Sequence, residues 1–196
     1  TNNNVTGNSV SDISTNGTGT VRGISVSGTT ADLTIQKNNV QGILNANTGT
    51  WGAYGIDVTA GNNIVVKNNF VSNVTHDMTG GGAFSTTFGV FGIRVGSGTG
   101  HKVYDNSVNL YGPMPGTPAT SLLSAAFALV GTTSTDCDVR DNIFANNITG
   151  GTTSVAAVSA YLPSGGTSAM NLTWNRNAYF FGTDVARQGV GQTVST

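Results

Sequence analysis

Three pairs of residues in this chain have types and spacing that could do chemistry. Asp57 and Arg94 occupy the same place in two copies of one phrase, YGIDV and FGIRV, and an acid beside a guanidinium is the minimum of an acid–base or anion-binding site. Asp105 and Asp141 occupy the same place in two copies of another phrase, VYDNSV and VRDNIF. Two neighbouring carboxylates take a hard cation such as calcium, or share a proton. His101 and Cys137 stand two residues before the core valines of those same copies, where a metal or a nucleophile with its base would need them. His76 and Asp77 lie in a segment of variable length that runs into TGGGA, and nothing in the sequence positions them. Each pair is chemistry only if the chain brings its members together, so the elements that carry them decide the matter.

Composition narrows the partners. The 196 residues make one domain's worth, 1–196, and 37% are hydrophobic, enough for a core. Only 9% are charged, every acid is Asp, and the net charge is -1. Such a chain offers no basic patch for nucleic acid and no cationic face for a membrane surface. No apolar run is long enough to cross a bilayer as a helix, and no membrane insertion is expected. Thr1 begins directly in patterned sequence, which reads as a mature or excised segment. The single Cys137 makes no internal disulfide, so an extracellular or cell-surface place is inferred from low charge with abundant Gly, Thr, Ser and Asn. Asn4, Asn16, Asn73, Asn147 and Asn171 each open an Asn-x-Thr pattern, at a frequency that chance produces in so Asn-rich a chain.

The organisation is repetitive. VTGNSV, IQKNNV, VVKNNF, VYDNSV, VRDNIF and WNRNAY return roughly every 35 residues, which places Asn8, Asn38, Asn68, Asn106, Asn142 and Asn177 in register. A second phrase alternates with the first: RGISV, YGIDV, FGIRV, FALVG and, weakly, VSAYL. Both are short, rich in Val and Ile, alternate apolar with polar residues, and are bounded by Gly, Asn, Ser and Thr; that is strand grammar, with no helical periodicity between. Short strands at this period stack as coils of a β-solenoid. The repeated Asn sits between apolar residues three before and two after it: Val5 and Val10, Ile35 and Val40, Val65 and Phe70, Val103 and Val108, Val139 and Phe144, Trp174 and Tyr179. Two inward residues at that odd separation require a bend, and Asn tolerates the left-handed conformation of a bend while its amide bonds to the Asn one layer away. A structural Asn ladder is expected.

On the GI-x-V and V-x-x-N-x-V phrases, over Val5 to about Phe181, the chain resembles the right-handed parallel β-helix of the pectate lyase-like superfamily. The resemblance implies an all-β solenoid of roughly six coils with three short strands per coil. GI-x-V would be the first strand, the residues before the Asn the second and those after it the third. It also implies that a sugar-binding groove, where one exists, lies over the first sheet. It does not fix the activity, because one fold hosts many functions.

Stacking sets the columns. The outward residues of the second phrase would be Ser25, Asp57, Arg94, Val130 and Tyr161, so Asp57 and Arg94 become vertical neighbours facing solvent. They are the lead catalytic and carbohydrate-binding candidates, with Tyr111 and Tyr161 as further exposed sugar contacts. The residues before the Asn would be Gly7, Lys37, Lys67, Asp105, Asp141 and Arg176. Asp105 and Asp141 are then weak calcium candidates, read first as ion pairs of Lys67 with Asp105 and of Asp141 with Arg176. Lys102 with Asp138 and Tyr104 with Arg140 would pair outside, and His101 with Cys137 would stack inside as ordinary core. Tyr54, Phe91 and Phe127 read as one inward aromatic column. No outward column is Thr throughout, so an ice-binding face is set aside.

Neither end of the sequence carries a cap, which points to further coils of the same chain or to end-to-end stacking of copies. The expected role is therefore structural or adhesive, as a secreted or surface stalk or fibre-forming unit, with polysaccharide as a candidate ligand. The competing expectation is a polysaccharide lyase or glycoside hydrolase acting on an acidic polymer over the first sheet. One acid on that sheet falls short of the two that glycoside hydrolysis uses, and the non-enzymatic role is preferred. No cofactor is expected, calcium excepted.

Overall fold

The computed structural model describes residues 3–78, 85–114, 123–150, 156–163, 167–182 and 190–192. Its strands recur in one order. The first sheet holds Val21–Val26, Ala53–Val58, Gly89–Val95, Leu123–Leu129, Ala156–Leu162 and Val190–Gln192. The second holds Asn3–Thr6, Leu33–Gln36, Val65–Lys67, Lys102–Tyr104, Asp138–Arg140 and Thr173–Asn175. The third holds Ser9–Thr15, Asn39–Asn45, Phe70–His76, Ser107–Met114, Ile143–Gly150 and Ala178–Phe180. Every strand pairs in parallel with its equivalent one repeat away, which makes the chain a parallel β-solenoid. Four layers lie between neighbours on both sides, so the stack counts about four complete turns rather than the six expected, with a terminal layer at each end.

Inward columns fill the interior. Ile35, Val66, Val103 and Val139 line it from the second sheet, Val40, Val71, Val108 and Phe144 from the third, and Ile24, Ile56, Ile93 and Phe127 from the first. Burying each such side chain contributes roughly 1.5–3 kcal/mol, which strands this short need because two or three residues per strand carry the whole core. The first and third sheets approach too closely for side chains at one level. A Cβ on Gly55 would lie 2.4 Å from Val71 Cγ1 and 2.6 Å from the Gly92 carbonyl oxygen. Hence the glycine in the GI-x-V phrase.

The Asn ladder forms, with one correction. Asn8, Asn38, Asn69, Asn106 and Asn142 each donate from Nδ2 to Oδ1 of the next rung, ending at Asn177, at 2.9 Å throughout. The backbone N–H of each rung also donates to the next Oδ1. From Asn38 onward, Nδ2 further donates to a carbonyl of the preceding layer, so these buried amides are saturated. Asn69, not Asn68, is the third rung. VVKNNF offers two valines and two asparagines, and register is settled by what fits inside: Val66 and Val71 are buried, while Phe70 stays 47% exposed. The bend itself also falls one residue earlier than expected. Lys37, Asn68, Asp105, Asp141 and Arg176, each just before a rung, hold φ of 51–59°, and Gly7 holds 69°. The rung residues are not left-handed; they saturate the turn that their neighbours make.

Two further columns shift. Phe127, not Leu129, stands in the Ile24, Ile56, Ile93 column, and Ala128, not Val130, stands beside Arg94. Ala126 takes the place of Gly92, where only a small residue fits, and this sets the register of AAFALV. Phe127 therefore packs in the core on Phe144 and Trp174, with ring centroids 5.2 and 5.5 Å away, and leaves Tyr54 and Phe91 to another cluster.

Candidate functional site

The strands Val21–Val26, Ala53–Val58 and Gly89–Val95 bring three charged groups together on the outer face of the first sheet. Asp57 and Arg94 are vertical neighbours, as their phrases require, and Arg94 Nη1 lies 3.0 Å from Asp57 Oδ1. Arg22, from the layer on the other side, places Nε 2.7 Å from Asp57 Oδ2, and the Thr59 hydroxyl donates to the same oxygen at 2.8 Å. Arg22 was missed in the sequence because it stands two positions before Ile24, outside the Asp57 column. Its partner becomes visible only once the layers are stacked, with Arg22 beside Tyr54 in register and its side chain reaching Asp57.

The expectation that this pair faces solvent is overturned. Asp57 is fully buried and Arg94 is 9% exposed. Tyr54 and Phe91, expected inside, instead lie on this outer face, with ring centroids 5.3 Å apart, and Arg22 and Arg94 stand 5.3 and 5.2 Å from the Tyr54 ring centre. Residues 85–88 cross over them: the Tyr54 hydroxyl donates to the Thr87 carbonyl, Arg94 Nε to the Thr86 carbonyl, and Phe88 meets Trp51 edge-on. Burial is the main cause that raises the Tyr54 phenol above its ordinary value. Tyr161 lies in the same cluster and is 5% exposed, so of the two expected sugar contacts only Tyr111, at 43%, is open to solvent.

Such a group can hold a sheet face closed. Each Asp57 oxygen already accepts a charge-assisted hydrogen bond, and Asp57 is the one acid in the described first-sheet strands, so among the described residues no second carboxylate stands on this sheet.

The second acidic pair lies at the exposed turn before the ladder. Asp141 is held by Arg176 through Nε at 2.6 Å and Nη2 at 2.8 Å, and that hydrogen bonding lowers its carboxyl below the usual range. The expected pairing of Lys67 with Asp105 does not occur: the one-residue shift sets Lys67 beside Gln36 and Tyr104. Arg140 stacks over Tyr104 at 4.8 Å, as expected. Lys102 and Asp138 are in register, while the Asp138 carboxylate takes Arg140 at 2.8 Å. Among the described residues no group of three or more His, Cys and Asp side chains could hold a metal ion.

His101 and Cys137 are buried inside, one layer apart, and neither uses the other's side chain. His101 Nδ1 accepts from the Ile64 N–H and its Nε2 bonds the Ser97 carbonyl, while burial lowers its pKa. Burial pushes the Cys137 thiol up to about 11, which keeps it a protonated core residue. His76 is not in a loop. It ends the strand Phe70–His76, fully buried, with Nδ1 accepting from the Met78 N–H at 2.8 Å and its pKa lowered to about 4 by burial. Asn45, its neighbour in register, does the same for Asn47 and also donates to the Gly19 and Gly52 carbonyls. Its role as closer of the connection into the first sheet was not read from the sequence. The TGGGA segment lies outside the described residues.

Comparison with protein-family models, with curated proteins and with solved structures finds no match to this chain.

Proposed function

We propose that this β-solenoid is a structural or adhesive element of a secreted or cell-surface protein, a stalk or fibre-forming unit whose layers continue into further coils of the same chain or of a second copy. The observation that carries the reading is the closed first-sheet face: Asp57, Tyr54 and Phe91 are all within 1% of full burial where a substrate groove would have to open. The low charge supports an extracellular place, and the phrases that resemble the pectate lyase-like superfamily support a long layered body. The half-buried Val5, Val10, Trp174 and Tyr179 of the terminal layers are the core residues that another coil would cover. The test is turnover of uronic-acid polymers. No cleavage is expected from the folded protein. Cleavage that is lost in both Asp57→Asn and Arg94→Ala, with the fold intact by circular dichroism, would falsify the reading.

A further inference from the structure

Among the described residues, every large hydrophobic side chain that stands exposed lies on one face. Phe70 (47% exposed), Tyr111 (43%), Ile143 (53%) and Phe180 (47%) belong to successive strands of the third sheet, one per layer. Register sets them in neighbouring columns. Asn39, Phe70, Ser107, Ile143 and Ala178 form the first; Gln41, Ser72, Asn109, Ala145 and Phe180 form the next, two residues on; and Tyr111 stands beside Asn147 beyond them. Exposed hydrophobics scattered singly are ordinary, but a row that runs through four adjoining layers of one sheet marks a contact surface.

The same face lacks charge. The described strands of the third sheet hold no Lys or Arg, and their one acid, Asp12, is in the first layer, away from the row. The second sheet carries Lys67, Lys102, Asp138 and Arg140 instead, and charged side chains of that kind keep a sheet face in water. The first sheet is crossed by residues 85–88. Of the three faces, only the third is both apolar and without such a guard among the described residues.

We propose that the outer face of the third sheet is the isologous interface of a side-by-side dimer of this chain. Charge selects a second copy as the occupant. A charged partner would lose water against a face that offers no counter-charge, whereas the same face of another copy brings no charge to desolvate. The polar groups in the row are already engaged in part: Asn147 Nδ2 donates to Asn109 Oδ1 at 3.1 Å, so covering them costs little. The area is also sufficient. Six strands at about 4.8 Å per layer, with seven residues in each of Ser9–Thr15, Asn39–Asn45 and Phe70–His76 at about 3.3 Å per residue, give a face of about 29 by 23 Å. Two such faces hide about 1,300 Å² in projection, within the range of specific interfaces. The contact goes beyond the proposed function, in which coils meet at strand edges along the stack; here copies meet side on, and neither contact requires the other.

Sedimentation equilibrium of the folded protein between about 1 and 200 µM, with electron microscopy of any longer assemblies, tests it. The wild type is a dimer at the upper concentrations, and any rods lie in pairs. Ile143→Lys places a cation at the most exposed point of the row, weakens the dimer at least tenfold, on the order of 1.4 kcal/mol, and turns paired rods into single ones. Phe70→Ser copies Ser107 of the same column, weakens the dimer about fivefold, and decides the matter where circular dichroism shows that Ile143→Lys folds poorly. Lys102→Ala on the second sheet leaves association unchanged. The inference is overturned if the wild type stays monomeric over that range, if it forms only single rods, or if association survives both Ile143→Lys and Phe70→Ser. A monomer that binds neutral phosphatidylcholine vesicles, and loses that binding in Ile143→Lys, also overturns it and gives the face to a lipid surface. Single rods leave the stalk reading standing, and cleavage of a uronic-acid polymer leaves the dimer standing.

Discussion

The outer faces of the first and second sheets carry the same kind of chemistry under opposite conditions. On the second, Arg140 with Asp138 and Arg176 with Asp141 pair in the open. On the first, Asp57 and Arg94 pair beneath residues 85–88, and Arg22 reaches Asp57 from the exposed side. Exposed pairs gain little because water serves each ion nearly as well. The covered pair is different, because removing the Asp57 carboxylate strands the buried Arg94 guanidinium against the Tyr54 ring in low dielectric, while Arg22 keeps access to water. The difference lies in the cover, and the repeat alone does not specify cover.

The largest expected effect follows from this contrast. Asp57→Ala lowers the unfolding free energy by about 3–5 kcal/mol in urea titration. A loss as small as that of a surface variant would erase the distinction between the two faces. Next is the ladder, the uncharged counterpart of the covered pair: Asn106→Ala leaves the Asn69 amide and the Val66 carbonyl unserved and costs about 3 kcal/mol, against about 1 for Asn8→Ala in the terminal layer. Equal costs would mean that the rungs are not buried in effect.

A third prediction uses pH. His76 has its folded pKa depressed to about 4 by burial, so between that value and the unfolded value near 6.5 the unfolded chain binds more protons. Stability is therefore full above about pH 6.5 and falls by up to about 3 kcal/mol as pH drops toward 4. His101, depressed in the same direction, adds to the slope. His76→Asn, which installs the residue that Asn45 already is one layer away, flattens that slope when urea midpoints at pH 7 and pH 4.5 are compared. The smallest effect is on the open face: Asp141→Asn changes the midpoint by no more than experimental scatter, at low salt and in about 1 M salt alike.

The sequence displayed the layers and hid the covering. Valine and isoleucine at fixed distances from an Asn are read by every coil in the same way, so the fold, five of the six rungs and the contact of Asp57 with Arg94 were legible. The errors arose where a phrase offers two equivalent registers. VVKNNF fits the pattern with either Val and either Asn, and only the packing of Val71 between Val40 and Val108 chooses. AAFALV misled for the same reason, although Ala126 in the glycine place was a usable signal. What could not be read was which face residues 85–88 cross. That depends on where Thr86 and Thr87 find donors, Arg94 and Tyr54, on a sheet formed by other parts of the chain.

Electron microscopy of the native protein tests the central claim most directly, because a layered structural element and a self-contained enzyme differ in outline. The account predicts long rods or continuous fibres with a layer repeat near 4.8 Å along the axis. Discrete particles only as long as this stack of layers would contradict it.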